Sequence, residues 1–393
     1  MIGWFRRGAA ILALALLTVG AAQARTQPPA DPGAVVVATV NGQRITRAAI
    51  LEEALADQLA RLRSTDPQAA DVSGRPVYEL YALVGAGDVV VQRLRQSGGR
   101  PVTFSRADLY RAVFARPGRA LRDAVQNKIR ETVIVQAAAK AGVTVTPAEM
   151  RTLMTRSVAQ ARAARPALAG KPDAAVLASY GVRADFVARN LRLQALLEKL
   201  IQRDIERGLG RRLGPADFLR ASHVLVQVTD EPAAPAPDQP APTEPPAPPT
   251  PEEREKRFAD AKTKIDGIAA DIRSGKVTFE DAAQTHNNDQ TRFQRGSLGV
   301  FMRGQMVAEF DRVAFGLAKG AVSEPIRTAF GWHLIRVDDL GAQIAAAERE
   351  QVLQAELRKR MPTTIQDLMG QAKITSTIAP AAAPATTLGP PRP

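Results

Sequence analysis

The chain has no cysteine. That absence excludes disulfides, thiolate metal ligands, a lipid-carrying cysteine and a thiol nucleophile, and it leaves an oxidising compartment nothing to mispair. Aromatic residues are only 5% of the 393, so the cores must be built largely from Ala, Leu, Ile and Val, with Ala and Leu pointing to helix for much of the mass. Histidine is scarce, at His223, His286 and His333. With no H-x-x-x-H pair and no cysteine, these match no common zinc pattern, and neither a metal nor a cofactor is expected. Apart from the amino terminus, no run is long and apolar enough to suggest a membrane helix, which needs about 20 residues. The net charge is +13, yet basic residues alternate with acids, as from Arg203 to Arg212, and form no compact block. A solvated basic surface follows, and no nucleic-acid partner is expected.

Arg6 and Arg7 precede an apolar run from Ala9 to Ala22, and Ala22-Gln23-Ala24 supplies small residues for cleavage. This tripartite pattern over residues 1–24 predicts a secretory signal, export across an inner membrane, and a mature protein in the periplasm without a stable membrane anchor. Residues 25–34 read as an unordered leader. Val36 to Val40, then Asn41-Gly42, then Gln43 to Thr46 predict a hairpin, because Asn-Gly supplies the positive φ angles of a type I′ turn. A helix bearing Ile50, Leu51, Leu55 and Leu59 should follow. Residues 64–104 fit no clear pattern, and Gly85-Ala86-Gly87 lacks the rest of a dinucleotide-binding loop.

From Ser105 to Gly208 the signals are helical. Thr146-Pro147-Ala148-Glu149 has the form of a capping box with proline at the first helical position, and Ser105 to Asp108 is a weaker version. Leu191, Leu193, Leu196, Leu197, Leu200 and Ile201 mark the core stripe of a long amphipathic helix. Residues 231–251 hold ten prolines, and no Lys or Arg occurs from Thr229 to Glu253; an extended, solvated segment is expected. A last helix should run from Ala345 to Arg360, with Pro362 breaking it and a restart from Ile365 to Ala372. Residues 379–393, rich in Pro and Ala, read as an unordered tail.

All three histidines lie between Phe218 and Leu340. Ala221 to Val226 reads as an alternating strand, and Thr328 to Val337 as another. Between them come an amphipathic helix (Phe258, Ala261, Ile265, Ile268, Ile272), a short helix from Phe279 to Thr285, a turn-rich stretch, the strand-like Gly296 to Phe301, and a helical run from Val307 to Leu317. The order is strand, helix, helix, strand, helix, strand, strand.

Five dispersed segments in this order, A-S-H-V-L-V at 221–226, G-S-L-G-V-F at 296–301, R-G-Q-M-V-A-E-F-D at 303–311, G-A-V-S-E-P-I at 320–326 and F-G-W-H-L-I at 330–335, resemble a parvulin-type peptidyl-prolyl isomerase over residues 219–339. The resemblance implies an α+β fold, a small antiparallel sheet with surrounding helices, occupying residues 216–340 and interrupted by 231–251. It also implies two back-to-back histidines, matched by His223 and His333, beside a Cys or Asp, matched by Asp289. Leu298, Met306 and Phe310 match the family's proline pocket. His286 matches no member of the central pair and reads as a packing or surface residue. The activity implied is prolyl isomerisation, with X-Pro bonds of unfolded or partly folded exported polypeptides as substrate. Where phosphate-selective relatives carry basic residues, this chain has a cation-free segment, so phosphorylated substrates are not expected; its prolines are alternatively a tethered competitor for the pocket. Val36 to Ile50 and Ala141 to Met150 resemble, less specifically, the helical module of SurA- and PrsA-type foldases. That implies an all-α chaperone-like module over residues 35–210, closed by 345–374, with outer-membrane proteins among possible clients. The competing reading is an ATP-independent holdase whose isomerase unit is weakly active or inactive.

Overall fold

The computed structural model describes residues 31–54, 110, 113–115, 117–180, 184–229 and 249–379. The signal at 1–24, Leu55, Leu59, residues 64–104, the Ser105 start signal, most of the proline-rich segment and nearly all of the tail lie outside the described residues. Chain contacts divide the protein into two units. One comprises Met1–Ala139, Val145–Leu193 and Leu368–Pro393, the other Lys140–Thr144 and Gln194–Asp367.

In the first unit, β1 (Val36–Val40) and β2 (Gln43–Thr46) pair antiparallel as expected. Asn41 and Gly42, at φ 48° and 86°, make the turn, and both residues of a type I′ turn need positive φ. Helix α1 (Arg119–Lys140) supplies Gln136, whose side chain donates to Val40 O at 3.1 Å and accepts from Asn41 Nδ2 at 2.8 Å. A core forms around Val37, Val40, Ile50, Leu121, Val125 and Ile129. The capping box is present at the start of α2 (Pro147–Ala164), which packs with α3 (Asp173–Ser179) through Val158, Val176 and Leu177. Residues 31–34, expected to be unordered, include a single 3₁₀ turn at Pro32–Ala34, because the Asp31 side chain accepts from Gly33 N at 3.0 Å and caps it.

α4 (Ala184–Leu209) carries the leucine stripe, with Leu196, Leu197, Leu200 and Ile201 buried. In the second unit, β3 (Phe218–Gln227) is followed by α5 (Pro251–Arg273), α6 (Phe279–His286), β4 (Ser297–Met302), α7 (Ala308–Ala314), β5 (Ile326–Thr328) and β6 (Gly331–Leu340). This is the expected order. The strands form one antiparallel sheet, β4-β3-β6-β5. Side chains on a strand alternate between faces. Val224, Val226 and Leu334 therefore meet α5 and α6 through Ile265, Ile268 and Phe279, while Leu219, Ala221, Ile335 and Val337 meet α7 through Phe310 and Ala314. With helices on both faces, β3 is buried from Ala221 to Val226. It does not alternate between buried and exposed residues, as its sequence had suggested.

Three other expectations change. The proline-rich segment was expected to stay extended to Pro251, but Thr250 caps α5, with Pro251 in its first turn and Glu253 completing a capping box. Thr-Pro-Glu-Glu thus repeats the start signal used by α2. The C-terminal helix is not broken: α8 runs from Ala346 to Gln371 with Pro362 inside it. Proline removes one backbone donor, and at this exposed position water can satisfy the carbonyl left without it. Beyond α8, the short strand β7 (Ile374–Ser376) pairs with β1 and makes the sheet of the first unit three-stranded, β2-β1-β7. Alongside its helices this unit therefore holds a strand from the far end of the chain, where only a helix had been expected.

Candidate active site

His223 on β3 and His333 on β6 share the sheet face that carries Ala221 and Ile335. The register pairs Leu225 with His333 and His223 with Ile335, so the two histidines are diagonal neighbours, a spacing long side chains can span. Their Nδ1 atoms lie 3.3 Å apart and the rings stack at 5.5 Å between centroids. Both are buried, at 4% and 5% exposure.

The outer nitrogens are also occupied. His223 Nε2 lies 2.9 Å from Thr291 Oγ1 and 3.3 Å from Asp289 Oδ2, and His333 Nε2 lies 2.9 Å from Thr328 Oγ1. A carboxylate only accepts, which assigns the Nε2 proton to His223 and leaves its Nδ1 to accept. His333 then donates from Nδ1 and accepts at Nε2 from the Thr328 hydroxyl. Thr291 fits the same scheme, since its hydroxyl donates to Asp289 Oδ1 and it accepts from Asn287 Nδ2 at 2.8 Å. Asn287 is fully buried, donates also to His223 O at 3.0 Å and accepts from Leu225 N at 2.7 Å. Every polar group of the pair thus has a partner.

Burial lowers the pKa of both imidazoles. His333 falls to about 3, chiefly by burial and further by His223, with Asp289 opposing. His223 also falls through burial, against the pull of Asp289. Asp289 is partly exposed, with 37% of its side chain open to solvent. It precedes a 3₁₀ turn at Gln290–Gln294 and caps it, accepting from Thr291 N at 3.0 Å.

On the α7 side, Phe310 sets its edge against both imidazoles, at 6.3 Å from His223 and 5.7 Å from His333. Leu298 and Met306, both half-buried, join Phe310 in one apolar cluster. Gly296 makes room for this assembly: at φ 86° its carbonyl accepts from His223 N at 2.9 Å, and a β-carbon there would lie 2.5 Å from His223 O. His286 ends α6, half-buried, and is not part of the network.

The six residues matched from the sequence therefore fall into two joined groups, a polar one (His223, His333, Asp289) and an apolar one (Leu298, Met306, Phe310). Asn287, Thr291 and Thr328 were missed as site residues. Among the described residues, no group of three or more His, Cys, Asp or Glu side chains is placed to hold a metal ion.

Residues 246–339 match the PPIC-type PPIase domain family, named rotamase. A SurA chaperone of Chromobacterium violaceum is 36% identical over 103 residues, 26% of this chain and 24% of the relative. A PrsA 1 foldase of Bacillus cereus is 29% identical over 165 residues, 42% of this chain and 45% of the relative. The chain thus spans about a quarter of the SurA relative and under half of the PrsA relative. A solved PrsA peptidylprolyl isomerase of Bacillus cereus aligns at 19% identity with a TM-score of 0.34, over 70% of this chain and 90% of that one. The second unit carries a parvulin-type peptidyl-prolyl isomerase domain, in a chain similar to SurA chaperones and PrsA foldases.

Proposed function

We propose that the protein is a peptidyl-prolyl cis/trans isomerase that assists the folding of exported polypeptides in the periplasm, without selectivity for phosphorylated clients. The observation that carries this reading is the joining of the His223–His333–Asp289 network to the Leu298, Met306 and Phe310 cluster through the ring of Phe310. The absence of Lys and Arg from Thr229 to Glu253 supports the indifference to phosphate. The Arg6-Arg7 and Ala9-to-Ala22 pattern supports an export signal at residues 1–24. A chaperone-like module over residues 35–210 accompanies the isomerase unit (216–340, with the insertion 231–251), and 345–374 closes that module; the return of β7 to β1 supports this.

The chemistry is a rotation, and no bond need be made. Amide resonance sets a barrier of ~18–20 kcal/mol, and it is lost when the peptide plane twists. The apolar group holds the prolyl ring and keeps water from the amide. Asp289 presents a negative charge beside that pocket. Because both imidazoles stay neutral, that charge is not cancelled by a neighbouring imidazolium. A carboxylate near the substrate carbonyl opposes the charge-separated planar form more than the twisted one, and every ~1.4 kcal/mol so gained is tenfold in rate.

The test is exchange NMR on a proline peptide with the full-length protein. Wild type should accelerate cis/trans exchange, and Asp289→Ala should lose roughly tenfold or more in kcat/KM while keeping its thermal transition. No acceleration by wild type rejects the isomerase reading. A second reading, a holdase with a weakly active domain, is favoured by the complete internal pairing of the histidines, which leaves their ring nitrogens committed to the fold. It predicts suppression of client aggregation that survives Asp289→Ala.

A further inference from the structure

Among the described residues, the side chains of three carboxylates are buried beyond nine-tenths: Asp217 at 0%, Asp311 at 7% and Glu356 at 4% exposure. A buried charge costs several kcal/mol unless it is well paired, so their placement needs a reason. All three converge on the turn between β4 and α7. Arg303 N donates to Asp217 O at 2.8 Å and its Nε lies 3.5 Å from Asp217 Oδ1. Gly304 N donates to Asp311 Oδ2 at 2.6 Å. Gln305 Nε2 donates to Glu356 Oε2 at 3.0 Å, while Gln305 Oε1 accepts from Met302 N at 2.8 Å. Gly304 and Gln305 are thus each held by a different carboxylate and Arg303 N by the main-chain carbonyl of Asp217, and the next residue is Met306, a wall of the apolar group.

Asp217 and Asp311 come from segments that adjoin this turn in the sheet and in sequence. Glu356 comes from α8, far along the chain. Its other oxygen accepts from Arg360 Nε at 2.6 Å, which aims the carboxylate at Gln305. Burial alone would push its carboxyl up, but the bonds from Gln305 and Arg360 hold it below the usual range. Arg220 of β3 grips Glu348 of α8 through both carboxylate oxygens at 2.8 Å, so the helix is tied to the sheet one end away from the turn as well.

We propose that Glu356, acting through Gln305, is a positioning residue for the proline pocket: it fixes the Met302–Met306 turn and thereby the place of the Met306 side chain. This rests on the reading of the unit as a prolyl isomerase. The consequence is that α8, which lies beyond the matched domain, sets affinity for the X-Pro segment without touching it. Misplacing a binding wall weakens the grip, whereas the His223–Asp289 side is untouched, so KM moves and kcat does not.

The experiment measures KM and kcat by exchange NMR on full-length wild type, Gln305→Leu, Glu356→Ala, Glu356→Asp and Glu356→Gln, with thermal melts alongside. Gln305→Leu and Glu356→Ala should each raise KM roughly tenfold with kcat within about twofold. Their double variant should be no worse than either one, since both cut the same link. Glu356→Gln, whose amide oxygen still accepts from Gln305, should restore most of the affinity. Should the alanine or leucine variants fail to fold, Glu356→Asp, which draws the carboxylate back by one methylene, should still raise KM. Lower melting temperatures with KM unchanged would show that Glu356 merely docks the helix and would overturn the proposal. If wild type shows no turnover, the isomerase reading falls, and the same variants are compared for peptide affinity through the Gly304 and Met306 amide shifts. Equal affinities there reject the positioning role, and no binding by wild type rejects both.

Discussion

His223 and His333 are held neutral by burial, His333 with a pKa of about 3 against an ordinary 6.5. Below pH 6.5 the unfolded chain takes up protons that the folded pair refuses. Stability therefore falls as pH drops through this window, by up to about 1.4 kcal/mol per pH unit for each ring, and the loss from His333 continues down to about its folded value. Turnover should show no step near pH 6.5, while the unfolding midpoint declines from pH 6.5 to 4.5. Exchange NMR and urea melts across that range check both, and an activity step near 6.5 would mean that an imidazole titrates in the working site. Thr328→Val is the sharper probe of the network. It removes the hydroxyl that donates to His333 Nε2 and leaves a buried acceptor unpaired, a loss of about 1–3 kcal/mol. The imidazole ¹⁵N shifts should report a changed tautomer as activity falls. His223 and His333 are legible because each sits inside a recognisable run of residues, whereas Asp289 is matched only by its place between those runs. Asn287, Thr291 and Thr328 are not legible, because their importance lies in bonds that cross the sheet: Asn287 reaches His223 and Leu225 from the far end of α6, and nothing local in N-N-D-Q-T announces it.

At the scale of elements, Pro362 gives a prediction with a known sign. It occupies an exposed position within α8, where proline costs about 3 kcal/mol relative to alanine in an unstrained helix interior. Pro362→Ala should stabilise the protein by about 1–3 kcal/mol, read as a higher urea midpoint with an unchanged slope. No gain would mean that the helix is bent there to suit its packing. Local propensity alone makes Pro362 a stop, because it takes no account of tertiary support. Glu356 and Leu357 bury one side of the helix just before it, and that docking carries the helix past the missing bond. The start of α5 shows the opposite failure. Thr-Pro-x-Glu is plain at Thr146, but at Thr250 the prolines before it mask the same capping box. β3 looked alternating because only its own residues were considered, whereas helices cover both faces of its sheet. β7 has three residues, too few for periodicity, and only pairing with β1 defines it.

For the whole molecule, the boundary suggested by the family likeness is narrower than the contacts that stabilise the isomerase unit. Residues 216–340 contain the strands, the histidine network and the apolar group, but they omit Arg211 and all of α8. Arg211 holds the fully buried Asp217 through two bonds, at 2.6 and 2.5 Å. Burial alone would push this carboxyl up, and Arg211, Gly214 and Arg303 hold it below the ordinary range. Cutting at 216 removes the chief counter-charge and leaves Arg303, at 3.5 Å, as a poor substitute. Removing Arg211, whose own side chain is 48% exposed, leaves the buried Asp217 carboxylate without its nearest partner and destabilises the unit. Cutting at 340 removes Glu356 from Gln305, the partner argued above to hold the Met306 turn. A 194–367 fragment keeps both and should fold cooperatively, with kcat and KM near those of the full chain. A 216–340 fragment should unfold at lower urea and, if it turns over, do so with raised KM. Adding residues 205–215 alone should recover stability and leave KM high, whereas adding 341–367 alone should recover KM. If the 216–340 fragment matches 194–367 in melt and KM, the parvulin-type unit is self-sufficient and α8 serves the rest of the chain.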